Sequence, residues 1–292
     1  MDKKKVQLSL AGGGARGAVL LALVEQFEKE GYEITKISGS SVGSIIAMTY
    51  AYTLSSRRTI RLLINLLDEL NSYDIFNKSK AQVVADALFA EEDGMMSCLL
   101  LYKLFSSFTE RIGLHSLDDL KIPYAATATE LNLAKTIVFT NAKSEFAKES
   151  SEFSYFDTEI EPAAVLTASS CFPVILSSFQ YKEHKFIDGG TMMNVPATLH
   201  KKEEDNPSVA LYYDFLEPIK AESLDSPKDT AFRALDLMSN AADEEEASKA
   251  DYKIKMPVKI ESAEFKHGER SLAHAKRYIK AKGGLKNLLV KN

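Results

Sequence analysis

The chain has 292 residues but only two cysteines, Cys98 and Cys171, both in apolar contexts and neither with a second thiol or a histidine at metal-ligand spacing. A disulfide-stapled fold and a thiolate metal cluster are therefore not expected, and both thiols read as reduced packing residues. Calcium-ligand spacing of the helix-loop-helix kind is missing too. Long apolar runs are scarce: the longest uninterrupted one, Ala18–Val24, is far short of the roughly 20 residues that span a bilayer. A basic excess is lacking, since the formal net charge is −5, which argues against nucleic acid as the main partner. A signal peptide is imitated rather than present. Lys3-Lys4-Lys5 precedes an apolar stretch, but Arg16 and three consecutive glycines interrupt it, and cleavage there would remove the first strand or the glycine turn. The expectation is a cytoplasmic protein, at most peripheral at membranes, or one exported without an N-terminal signal.

Hydrophobic content of 45% with 26% charged residues supports a buried core. No repeat, low-complexity segment or linker-like stretch divides the chain, so a single domain over residues 1–292 is expected. Charge is uneven along it. From Lys266 onward, Arg270, Lys276, Arg277, Lys280, Lys282, Lys286 and Lys291 face one acid, Glu269, while Glu244-Glu245-Glu246 form an acidic block upstream. Two readings fit this basic tail, a solvated helix face and attraction to anionic lipid headgroups.

The pattern opens as strand Val6–Leu10, glycine turn, helix 17–30, strand Ile34–Ser38, tight turn and helix 43–54. Such a β-α-β-α start implies a parallel sheet with helices on its faces. Residues 57–111 read as a helical insertion, broken at Tyr73–Lys80 and Glu91–Gly94. Strands resume at Tyr124–Thr129 and Thr136–Thr140, Ser150–Thr158 reads as irregular loop, and Pro162 starts a short helix through Ala168. Phe179–Tyr181 and Lys185–Ile187 form a small hairpin, Val209–Tyr213 a further strand and Lys228–Ala247 a helix. The remainder of the segment 228–292 is expected to be helix-rich and basic.

Three turns carry chemistry. Gly12-Gly13-Gly14-Ala15-Arg16-Gly17 lies between a strand and a helix, where free backbone N–H groups bind a developing negative charge. Gly39-Ser40-Ser41-Val42-Gly43 lies between the second strand and second helix, which exposes Ser41 on an elbow as a nucleophile. Asp188-Gly189-Gly190 places a carboxylate on a loop within reach of Ser41 as general base. The first turn also satisfies a dinucleotide fingerprint, but that reading needs an acidic residue at the end of the second strand, and Gly39-Ser40-Ser41 stands there instead. A structural role for the glycines in close packing stays open. A Ser-His-Asp triad would need His200, His267 or His274, and none lies near the three turns.

At these residues the chain resembles the patatin-like phospholipase family. The match runs through Leu8–Gly17, Ile37–Ser44 and Asp188-Gly189-Gly190 with Asn194 and Pro196 after it, supported by Leu117–Thr129 and Ala168–Pro173, and covers about residues 6–200. Ser40 and Ser44 stand where that family more often has Thr and Ala. The resemblance implies a three-layer α/β/α patatin-like fold with a mainly parallel central sheet, and a Ser41–Asp188 dyad without histidine. It also implies an oxyanion hole from Gly12, Gly13, Gly14 and Arg16, with the Gly13 and Gly14 N–H groups as donors, and Gly39, Gly43, Gly189 and Gly190 as the glycines of the elbow and of the Asp-Gly-Gly loop. The activity it implies is lipid acyl hydrolysis of the phospholipase A or lysophospholipase type, with a phospholipid or other fatty acyl ester as substrate. Neither cofactor nor metal is required by that chemistry. An esterase or acyltransferase on soluble esters, and an idle lipid-binding protein, remain as alternatives. Met95, Met96, Leu99, Leu100, Leu101, Tyr102, Leu104, Phe105 and Phe108 fit either an acyl groove or helix core.

Overall fold

Strand and helix alternate from the N-terminus because the apolar period changes at each glycine turn. In a computed structural model that describes residues 3–72, 97–173, 175–214, 227–258 and 268–292, the chain begins with β1 (Lys4–Leu10), buried from Val6 onward on both faces. That is the burial of a strand covered on either side. It continues through α1 (Gly17–Lys29), β2 (Tyr32–Ser40), α2 (Val42–Thr53), α3 (Ser56–Ser72), α4 (Cys98–Ile112), β3 (Tyr124–Glu130), β4 (Lys135–Thr140) and β5 (Phe153–Tyr155). Then come α5 (Pro162–Ser170), β6 (Phe179–Tyr181), β7 (His184–Asp188), β8 (Ser208–Asp214), α6 (Pro227–Ala247), β9 (Tyr252–Pro257), α7 (Gly268–Ala281) and β10 (Val290–Lys291).

The strands form one sheet in the order β10-β9-β8-β1-β2-β3-β4-β5. From β9 to β3 all neighbours are parallel, and the sheet is flanked by helices, so the α/β class read from the sequence holds. The strand β3 sets the register of the functional region. One of its edges is taken by β4 along Ala125–Glu130. The other is shared: β2 pairs with its first half, Ser40 opposite Thr127, and β7 runs antiparallel along its second half, Asp188 opposite Ala128. The carboxyl ends of β2 and β7 therefore meet head-on.

Phe27, Phe105, Phe108, Tyr124 and Tyr212 are among the large side chains sealed in the main core, and Phe146, Phe153 and Tyr155 sit in a smaller cluster. The structure departs from the sequence reading in two places. Phe153–Tyr155, expected as loop, pairs with Thr136–Val138 as a short strand. The tail is not purely helical: β9 extends the parallel sheet beyond β8, and β10 pairs with β9. In β9, Ile254 and Met256 are buried and alternate with Lys253 and Lys255, a period of two within a lysine-rich stretch. The expected breaks at Tyr73–Lys80 and Glu91–Gly94 lie outside the described residues, as do Met95, Met96 and His267. In α4, Leu101, Leu104, Phe105 and Phe108 are core, whereas Leu99 and Leu100 are exposed.

The helix α7 lies along α1 in the same direction. It also contacts the Gly14–Arg16 segment that precedes α1, Lys276 pairs with Glu25 at 2.8 Å, and the Leu285 N–H donates to Glu30 beyond the end of α1 at 2.8 Å. The thirteen residues of α1 span roughly 20 Å, so the segment around Leu285 lies at the end of α1 away from the glycine turn.

Candidate active site

The nucleophile candidate sits where β2 stops and α2 begins. Gly39 and Gly43 permit this: a Cβ on Gly39 would fall on the Gly43 backbone, and one on Gly43 on the Leu10 carbonyl, so larger residues would push the turn open. Ser41 itself takes φ 50° and ψ −126°, a conformation that costs a non-glycine residue of order 1–3 kcal/mol. The surroundings hold it there. The Ser41 N–H donates to Ser169 Oγ on α5 at 2.9 Å, and the Ser44 hydroxyl donates to the Ser41 carbonyl at 2.7 Å. Half-buried, Ser41 also occupies the N-terminus of α2, where the helix field favours negative charge.

Asp188 ends β7 and is 3% exposed. Its N–H donates to the Cys171 carbonyl at 2.9 Å and its carbonyl accepts from the Thr129 hydroxyl at 3.2 Å, which fixes its backbone from two sides. Its carboxylate accepts the Gly190 N–H at 2.7 Å, and the Ser41 side chain lies close enough to lower its pKa. Burial pushes its pKa up to about 6, and these two neighbours pull it only part of the way back. Gly189 lies directly on the Thr127 backbone, so this turn also needs a residue without a side chain.

The glycine loop lies against both. A Cβ on Gly12 would come within 3.0 Å of the Ser41 Cβ, and Gly13, at φ +150°, faces the Tyr213 ring. The N–H groups of Gly13 and Gly14 have no acceptor among the described residues. Gly12 differs from the expectation. Its N–H donates to Asn194, to Oδ1 at 2.9 Å and to the carbonyl at 3.3 Å, so it anchors the loop and is not a spare donor. Arg16, also expected at the oxyanion, is 8% exposed, and its charge acts on Tyr213 and Asp243.

His200 is not part of this constellation. Its two ring nitrogens lie 2.8 Å from Ser38 Oγ and 3.0 Å from Gln7 Oε1, its ring packs edge-on against Phe146, and burial lowers its pKa to about 3. It is a neutral core histidine. His274 is exposed on α7, which packs along α1. Sequence reasoning missed Ser169, which lies in a small-residue run without a polar signature. It also missed Asp243, hidden beside the Glu244–Glu246 block and delivered to Asn194 only by the packing of α6.

Residues 8–199 match the family Patatin-like phospholipase. An uncharacterised NTE family protein of Mycobacterium tuberculosis is 22% identical over 192 residues, 66% of this chain and 44% of that protein. The human patatin-like phospholipase domain-containing protein 6 is 24% identical over 203 residues, 66% of this chain and 12% of that protein. The chain thus spans less than half the length of these relatives. Among solved structures, VipD from Legionella pneumophila aligns with a TM-score of 0.45 and 12% identity, covering 94% of this chain and 67% of that one. The ExoU–SpcU complex of Pseudomonas aeruginosa gives 0.43 and 15%, covering 99% and 53%. The match over residues 8–199 takes in the glycine loop, the serine elbow and the Asp-Gly-Gly turn, and the chain belongs to the patatin-like phospholipase family.

Proposed function

We propose that the protein is a lipid acyl hydrolase of the phospholipase A or lysophospholipase type, working through a Ser41–Asp188 dyad. The observation that carries this reading is the strained Ser41 set beside the buried Asp188 carboxylate, whose pKa it lowers, next to a glycine loop with two uncommitted N–H groups. Ser41 Oγ attacks the ester carbonyl carbon as its proton passes to Asp188, and the oxyanion forms against the Gly13 and Gly14 N–H groups. Collapse of this intermediate breaks the bond to the alcohol, which leaves with the proton from Asp188. Water then attacks the acyl-serine, again giving its proton to Asp188, and the fatty acid departs as Ser41 recovers a proton. A carboxylate with pKa near 6 is a better base at neutral pH than a hydrated one, and here burial supplies that increase.

The acyl chain needs apolar contacts, and exposed Phe172 and Met192 offer them: Phe172 follows Cys171, which anchors Asp188, and Met192 follows the Asp-Gly-Gly turn. Membrane contact through the basic tail, the second reading of that segment, is a separate question, with Lys276 paired to Glu25. No helix among the described residues is long and apolar enough to cross a membrane. The test is hydrolysis of phospholipid vesicles and of a short soluble ester, side by side, by the wild type and Ser41→Ala. Release of fatty acid from vesicles by the wild type alone supports the proposal. Turnover confined to the soluble ester moves the substrate class, and equal turnover by both proteins removes the dyad.

A further inference from the structure

The donor loop is held from behind by a helix outside the family-matched region. Gly12 gives its N–H to Asn194 Oδ1 at 2.9 Å, and the same amide donates through Nδ2 to Asp243 Oδ1 on α6 at 2.9 Å. Asp243 is completely buried, and among the described residues its second oxygen has no hydrogen-bond partner. Two further groups of the loop region lie in its field. They are the buried Arg16, which leads into α1, and Tyr213, whose ring lies against Gly13. One turn along α6, on the same face, Glu246 accepts the Val195 N–H at 2.5 Å and so holds the residue next to Asn194. An ionisable carboxyl group is an expensive way to fill such a space, since an apolar side chain of similar size costs the fold less. What the carboxyl group adds is an acceptor that orients the Asn194 amide.

We infer that Asp243 is a positioning residue for the oxyanion loop. Through Asn194 it fixes Gly12, and Gly12 sets where the Gly13 and Gly14 N–H groups point. Substrate binding does not need this chain of contacts, but stabilisation of the transition state does. A donor displaced by a fraction of an ångström loses much of its effect on a developing oxyanion, and removing one altogether costs on the order of 100–1,000-fold in turnover.

This inference rests on the hydrolase reading, so the experiment carries one readout that depends on activity and one that does not. Asp243→Ala is expected to lower kcat by about tenfold or more with KM near the wild-type value. Asp243→Asn, which keeps an acceptor for Asn194, is expected to retain most of kcat and guards against a variant that fails to fold. In the double variant Asn194→Ala/Asp243→Ala, kcat is expected to match Asn194→Ala alone, because both act through one contact. Hydrogen exchange of the peptide spanning Gly12–Gly14 is expected to speed up in Asp243→Ala and not in Asp243→Asn. A wild-type kcat in Asp243→Ala, losses that multiply in the double variant, or unchanged exchange would overturn the positioning role. If the wild type hydrolyses no ester, the proposed function fails, and the exchange result still decides whether Asp243 orders the loop.

Discussion

Ser41 and Asp188 are brought together by a strand to which neither belongs. Ser40 lies opposite Thr127, and Asp188 lies opposite Ala128, consecutive residues on one edge of β3. The proposed dyad is thereby placed by backbone pairing, with the Ser41 side chain close enough to Asp188 to lower its pKa. Rigid placement of this kind reduces the reorganisation required when the proton moves.

The raised pKa of Asp188 makes function and stability oppose each other. Folding lifts this carboxyl from the ordinary value near 3.9 to about 6. The native state therefore holds the proton more tightly, and ionisation of Asp188 destabilises the fold as pH rises through that window, reaching its full cost above 6. Asp188→Asn should lower kcat by about 100–10,000-fold. The same variant should match or exceed the wild-type melting temperature at pH 8, by an equivalent of up to about 3 kcal/mol, with the gain fading toward pH 4. Thermal melts at both pH values check the sign, and a large loss of stability at pH 8 would speak against the buried carboxylate as described.

Because the base must be ionised, kcat/KM on a neutral soluble ester should rise with pH through about 6 and then level off. A full titration of the rate checks this. An acid limb at pH 4 or below would mean a hydrated, unshifted carboxylate.

His200 should matter for folding and not for chemistry. His200→Ala removes a buried ring with two hydrogen-bond partners and should cost about 1–3 kcal/mol of stability. The folded fraction should keep wild-type turnover per active site. Loss of turnover in protein shown by circular dichroism to be folded would restore a histidine to the mechanism.

Gly13 at φ +150° has the Tyr213 ring 2.7 Å from where a Cβ would stand. Gly13→Ala should displace the loop and reduce kcat by about 100-fold or more while KM changes little. Steady-state kinetics on a soluble ester decide it, and an unchanged kcat would remove the Gly13 N–H from the oxyanion hole.

The tail makes an expectation of the opposite kind. Replacing Lys280, Lys282 and Lys286 by Gln together should leave hydrolysis of anionic vesicles unaltered, since the segment around Leu285 packs at the end of α1 away from the glycine turn. A marked drop in vesicle hydrolysis with soluble-ester turnover preserved would bring the tail into membrane contact after all.

The local motifs were legible because each needs a residue type that has few substitutes: a glycine where backbone meets backbone, a serine small enough for the elbow, a carboxylate at a strand end. The order strand, glycine turn, helix, strand, elbow, helix follows from apolar periodicity alone and holds from Lys4 to Thr53. Contacts made at long range were not legible. Gly12 looked like a donor to the oxyanion until Asn194, 182 residues later, took its N–H. Arg16, expected with the oxyanion loop, is 8% exposed, a burial that its charge alone did not suggest. The strand β9 escaped notice because the residues that alternate with buried Ile254 and Met256 are the half-buried Lys253 and Lys255, which read as part of a basic tail.

The central claim is that Ser41 is the nucleophile and Asp188 its base. It is tested most directly by treating the protein with a fluorophosphonate and mapping the adduct by peptide mass spectrometry. The account predicts one modified peptide carrying the adduct on Ser41, no adduct in Ser41→Ala, and strongly slowed labelling in Asp188→Asn with the fold retained. Labelling of another residue, or labelling of Ser41→Ala at the wild-type rate, would contradict it.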